Sequence, residues 1–172
     1  MTTAWRKRKQ FCANLAFCAR FLGCGGLICV LAAGLPASRA VATERIVVDW
    51  HAGLAIGGYD PVAFFTDGKP MPGRADFELR YSGVVWRFAN IGNRAAFAAR
   101  PDIYMPQYGG YDPLGVARGI AVAGNPYTWL IADERLFLFY DVARRNRFAA
   151  EPDRVIASAN RKWPDVLRAL TP

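Results

Sequence analysis

The pentapeptide Gly-Gly-Tyr-Asp-Pro stands twice in this 172-residue chain, at residues 57–61 and 109–113, each time where a turn must hand over to an apolar segment. Paired glycines reach backbone conformations closed to other residues, and Asp followed by Pro reads as a helix N-cap and first helical position. Two sharp corners, each carrying a carboxylate, are therefore fixed before anything else is known. The flanks differ residue for residue: Leu54-Ala55-Ile56 and Val62-Ala63-Phe64 against Pro106-Gln107-Tyr108 and Leu114-Gly115-Val116. The expectation is that no larger unit is duplicated and that this is not a repeat protein.

The first forty residues have the layout of a secretory signal peptide: basic Arg6, Lys7, Arg8 and Lys9, an apolar run over 21–35, then Ser38-Arg39-Ala40. The competing reading is an uncleaved anchor in the inner membrane, with the apolar region stretched back to Phe11; an Arg20 inside that span is costly. Lipidation at Cys24 fits poorly, because Phe21-Leu22-Gly23 is a poor lipidation context. All four cysteines, Cys12, Cys18, Cys24 and Cys29, lie in the leader, so a chain cut after Ala40 has neither disulfide nor thiolate. The leader also holds six of the 22 basic residues and no acid, leaving 16 basic against 14 acidic residues, a net +2. The basic balance is thus a targeting signal and not a nucleic-acid footprint. The expected location is periplasmic or secreted, with membrane contact only through the leader if it stays attached.

The remaining 132 residues are enough for one domain with a real core. From Phe77 to Phe88 apolar residues alternate, Phe77, Leu79 and Tyr81 opposing Glu78 and Arg80, then Val84, Trp86 and Phe88 opposing Val85 and Arg87, around a Ser82-Gly83 turn. Asn90 caps a helix that must stop before Pro101. A second strand pair, 128–131 and 136–140, flanks Asp133-Glu134, and the run Leu136-Phe137-Leu138-Phe139-Tyr140 suggests a strand covered on both faces. Two helices follow, one from Asp141 through Val142 and Phe148, one from Pro152 with Val155, Ile156, Ala159 and Trp163 on one side, ending at Pro164. The class is α+β, with small antiparallel strand pairs and short helices. The expected organisation is a leader over 1–40, an extended segment over 41–56, the domain over 57–164 and a loose tail over 165–172.

Gly58-Tyr59-Asp60-Pro61-Val62-Ala63-Phe64-Phe65, Gly68-Lys69, Pro72-Gly73, the Trp86 hairpin, Asn93-Arg94-Ala95-Ala96-Phe97, Pro101-Asp102-Ile103-Tyr104 and above all Pro106-Gln107-Tyr108-Gly109-Gly110-Tyr111, taken in order, resemble the YHS domain family. The pattern of Trp129-Leu130-Ile131 with Leu136-Phe137-Leu138 belongs to the same resemblance, which covers about residues 57–164. It implies a small α+β domain of a family associated with heavy-metal transport and sensing, so a bound metal ion is what the resemblance suggests as a cofactor. The family typically continues Tyr-Gly-Gly-Tyr with Cys-Ala; this chain has Asp112-Pro113. A carboxylate in place of a thiolate changes the metal class from soft ions toward magnesium, calcium or manganese. With His51 the sole histidine, even His51, Asp60 and Asp112 together fall short of the usual zinc set. Met105 adds at most a weak thioether.

Two readings of the corners follow. In one, Asp60 and Asp112 cap helix starts, worth about 1 kcal/mol each. In the other, Tyr59, Asp60, Tyr108, Gly109, Gly110, Tyr111 and Asp112 line a ligand pocket, glycines admitting the ligand to the backbone and phenols supplying directed hydrogen bonds. Arg144, Arg145 and Arg147 resemble a basic patch, but Arg144 and Arg147 read as a solvated helix face; docking to anionic lipid headgroups or an acidic partner is the alternative. No Gly-x-Ser-x-Gly elbow, His-Glu-x-x-His helix or phosphate loop occurs. The sequence reading is a non-catalytic binding domain for a small ligand, an ion or an envelope protein, with the soft-metal site lost. The alternatives are a metal-binding or redox accessory protein, or enzyme, using His51, Asp60 and Asp112, and a membrane-anchored structural protein.

Overall fold

The computed structural model describes residues 45–170; the expected leader, its expected cleavage after Ala40 and the four cysteines lie outside the described residues. The described chain is α+β. A 3-10 turn at Ile56–Gly58 leads into α1 (Ala63–Thr66), the hairpin β1 (Arg74–Tyr81) and β2 (Val84–Phe88), then α2 (Ile91–Ala99) and α3 (Pro101–Tyr104). A second 3-10 turn at Gln107–Gly110 leads into α4 (Pro113–Val116), the hairpin β3 (Asn125–Ala132) and β4 (Arg135–Phe139), then α5 (Val142–Ala150) and α6 (Pro152–Leu170).

These two series are the same unit built twice, which corrects the expectation that nothing larger than the pentapeptide is duplicated. Both hairpins are antiparallel with a register shift at the same place, between Arg74 and Glu78 in one and between Asn125 and Trp129 in the other. Leu79 opposes Trp86 as Leu130 opposes Phe137. The turn residues Ser82 and Gly83 have φ of 51° and 83°, and Asp133 and Glu134 have 48° and 58°. Asn90 and Asp141 cap the following helices by accepting from the N–H three residues on. Arg100 and Glu151, which end those helices, have nearly the same backbone angles, φ −140° and ψ 60° against φ −142° and ψ 58°. Corresponding positions are 52 apart at the corners and 51 apart from Gly73 and Gly124 onward, so only one loop residue separates the two lengths. The flanks beside the pentapeptide hide this because equivalent positions there differ in size, and at Ala55 and Gln107 in polarity too, while most stay apolar.

Each unit has its own core, and β4 is the wall between them. Trp86, Phe88 and Phe97 lie fully buried in the first core, with Ile56 and Phe64. Phe137, Phe139 and Phe148, at the corresponding positions, lie in the second with Val116, Ala159 and Val166. Alternate residues of β4, Leu136 and Leu138, turn the other way into the first core, with Trp129 and Ile131 of β3 packed against the same cluster. Side chains of a strand alternate between faces, so a strand buried on both faces must be apolar throughout. That is the cause of the continuous apolar run from Leu136 to Phe139; Tyr140, beyond the strand, is exposed.

Two further expectations are corrected. Pro164 does not end the last helix, which continues to Leu170, so the described part of the expected tail is helical. An interior proline deletes one helical hydrogen bond and costs about 3 kcal/mol. Here Trp163, Val166 and Leu170 continue the stripe begun by Val155, Ile156 and Ala159 against the second core, and burying side chains of that size returns roughly 1.5–3 kcal/mol each. Packing decides against the local breaker. The described part of the entry segment is tied down, bending at 45–46 and turning at 50–52. Ile46 is buried, the Val47 N–H donates to the Gly109 carbonyl at 2.8 Å, and Val48 bridges Ala55.

Candidate functional site

The two Gly-Gly-Tyr-Asp-Pro corners are superposable in their bonding. Asp60 is fully buried; Oδ1 accepts from the N–H groups of Val62 at 2.8 Å and Ala63 at 3.4 Å. Its Oδ2 accepts from the Ala89 N–H at 2.8 Å and the Asn93 side-chain amide at 2.7 Å. Asp112 is likewise buried, with Oδ1 accepting from Leu114 and Gly115 N–H groups at 2.8 and 3.2 Å. Its Oδ2 accepts from the Tyr140 N–H at 2.9 Å and faces the Arg144 guanidinium at 3.6 Å. Each carboxylate thus ties the start of a short helix to the end of the hairpin and the start of the next helix. The backbone of each Asp is pinned as well, Asp60 N–H to the Met71 carbonyl and Asp112 N–H to the Val122 carbonyl, both at 2.8 Å.

A carboxylate offers about four acceptor directions. Asp60 has four hydrogen-bond donors and no acceptor direction left for a metal ion; Asp112 has three, and its remaining direction faces the Arg144 guanidinium at 3.6 Å, a cation that disfavours a metal ion beside it. The set does not fit the soft ion that the family resemblance suggests. Among the described residues no three of His, Cys, Asp and Glu come together in a way that could hold an ion. His51 is exposed, its ring against Trp50 and its backbone N–H donating to the Asp49 carboxylate at 2.9 Å.

The tyrosines separate. Tyr59 donates its hydroxyl to that of Tyr127 at 2.6 Å, and this bond, then burial, raises its pKa above the usual phenol value. Tyr108 lies in the second core, its hydroxyl donating to Asn160 Oδ1 at 2.9 Å and its ring edge-to-face with Trp163 at 5.5 Å; burial pushes its pKa up to about 12. Tyr111 is in the same core, its ring 6.1 Å from that of Trp163. Gly109 and Gly110 have φ of 62° and 90°. A Cβ on Gly109 would lie 1.8 Å from the Arg45 carbonyl oxygen, whereas its twin Gly57 meets nothing nearer than 3.8 Å. The glycine admits the chain's own entry strand to the backbone.

Two clefts open elsewhere. One of about 210 Å³ lies where the units meet, with Trp86, Met105, Gly109, Trp163 and Leu167 in its lining. The other, about 250 Å³, lies on the second unit between α4, α5 and the start of α6, and holds Arg118, Arg147 and Arg154. Of the seven corner candidates, Gly109 alone lines either cleft. The groove went unread as a site because its arginines come from separate parts of the chain, Arg118 from the turn after α4, Arg147 from α5, where it reads as a solvated face, and Arg154 from α6. Its signal was the second near-copy in the sequence, Phe97-Ala98-Ala99-Arg100-Pro101-Asp102 against Phe148-Ala149-Ala150-Glu151-Pro152-Asp153, which reveals the duplication and hence the positions where the copies diverge. No family model, curated protein or solved structure matches the chain.

Proposed function

We propose that the chain is an exported, YHS-like, non-catalytic binding protein whose Gly-Gly-Tyr-Asp-Pro corners are architectural and whose ligand is taken up away from them. One observation carries the reading: both carboxylates are fully buried and turned to partners of their own unit, Asp60 to four hydrogen-bond donors and Asp112 to three and a facing guanidinium. A general base or metal ligand must present an oxygen to its substrate or ion; these present none. Two clefts, each small enough to suit a small molecule, supply the binding surface.

The test is elemental mass spectrometry on the purified chain, followed by a thermal-shift screen against ions and small organic compounds. The reading expects no stoichiometric transition metal and at least one compound that raises the melting temperature by mass action. Copper or zinc at one equivalent, lost in Asp112→Ala, would overturn it.

A further inference from the structure

We propose that the groove between α4, α5 and α6 is a binding site for a small organic oxyanion, a carboxylate or phosphate ester with a short apolar body. The inference rests on the binding reading above and supplies its ligand class. Duplication provides an internal control, because the first unit shows what the same place is like when it has no ligand to admit. There Phe65 and Tyr104 meet edge to face, with ring centroids 5.5 Å apart. In the second unit the corresponding residues are Ala117 and Val155, and both line the groove. Thr66, Ala96 and Ile103 correspond to Arg118, Arg147 and Arg154, which also line it. The two rings stand against smaller residues, and three uncharged positions against guanidinium groups, all around one cavity; the acid of the groove, Glu151, stands where the first unit has Arg100, so the groove carries a net +2 against +1.

Among the described residues neither Arg118 nor Arg147 has an ion-pair or side-chain hydrogen-bond partner; Arg154 pairs with Glu151 at 2.7 Å. Three cations against one anion leave the groove with two uncompensated positive charges, and guanidinium does not lose its proton near neutral pH. Its planar fork matches the oxygens of a carboxylate or phosphate in bidentate fashion. Leu114, mostly buried, and Val155 supply apolar surface beneath the charges. At about 250 Å³ the groove lies just below the usual range for drug-sized ligands, roughly 300–1,000 Å³, which sets the ligand's size as small.

The experiment titrates phenyl phosphate and benzoate into isotope-labelled full chain, with inorganic phosphate and phosphatidylglycerol vesicles in parallel, and reads the amide signals of 114–118 and 147–158. The expected result is saturable shifts with phenyl phosphate or benzoate, weakened about tenfold or more in R118Q/R147Q. A117F, which restores the ring of the first unit, should block the shifts while the melting temperature stays the same. Vesicle binding that R118Q/R147Q abolishes, and that exceeds the phenyl phosphate affinity, places the ester on a lipid headgroup; comparable affinities place it on a free compound. Absence of saturable shifts up to millimolar probe would overturn the proposal, as would shifts that both variants leave intact. A stabilising compound from the thermal-shift screen, together with no saturable shift of 114–118 and 147–158 by any probe, would sink this site and leave the binding reading standing.

Discussion

A buried carboxylate with no formal countercharge would ordinarily be an unstable choice, yet Asp60 is held by four uncharged donors. Its twin Asp112 keeps three backbone donors and exchanges the Asn93 amide for the Arg144 guanidinium. The pair shows that hydrogen bonds alone can solvate the charge, since a satisfied buried ion costs far less than an orphaned one. Removing either carboxylate orphans several donors at once. Asp60→Ala and Asp112→Ala should each lower unfolding stability by about 3 kcal/mol, read as a fall in the urea midpoint; a loss below about 1 kcal/mol would mean that water replaces the carboxylate. This cap role was legible in the sequence from Asp followed by Pro. The donors Ala89 and Tyr140, 29 and 28 residues away along the chain, were not, because nothing local brings a hairpin end back to a corner.

Between elements, the duplication exposes where one copy is worse made than the other. The β3–β4 turn places Glu134 at φ 58°, where the β1–β2 turn has Gly83 at φ 83°. Hairpin turns with positive φ at both central residues favour glycine at the second, and a side chain there is strained. Glu134→Gly is therefore expected to stabilise the protein by about 0.5–1 kcal/mol, seen as a higher urea midpoint with unchanged slope. No change, or a loss, would show that Glu134 makes interactions in solution that outweigh its strain. The hairpins, their turns and the capped helices were readable from alternation and caps. Pro164 was misleading because a breaker is judged by local conformation, whereas α6 is held by the stripe of side chains that it packs against the second core.

For the molecule as a whole, the two cores differ in what covers them. Glu78 and Arg87 of the first hairpin form an ion pair at 2.8 Å on its outer face; the corresponding residues of the second are Trp129 and Leu138, packed into the first core. One hairpin ends the stack and meets water, and the other is its middle layer. The second core also confers an alkaline limit through Tyr108. Its pKa is about 12 when folded against 10.0 for an ordinary phenol, so the unfolded chain releases this proton first. Stability from this group is complete below pH 10 and declines as pH rises toward 12. Urea midpoints taken from pH 8 to 11.5 should fall, and the fall should be shallower in Tyr108→Phe; equal slopes would exclude Tyr108 as the cause. The sequence by itself determined the α+β class, the strand pairs, the caps and the two corners, because each depends on neighbours a few residues apart. Only the tertiary structure decided which donors each corner carboxylate holds, that β4 serves two cores and that three arginines share a groove with no ring to close it, because burial and proximity depend on which distant segment covers which face.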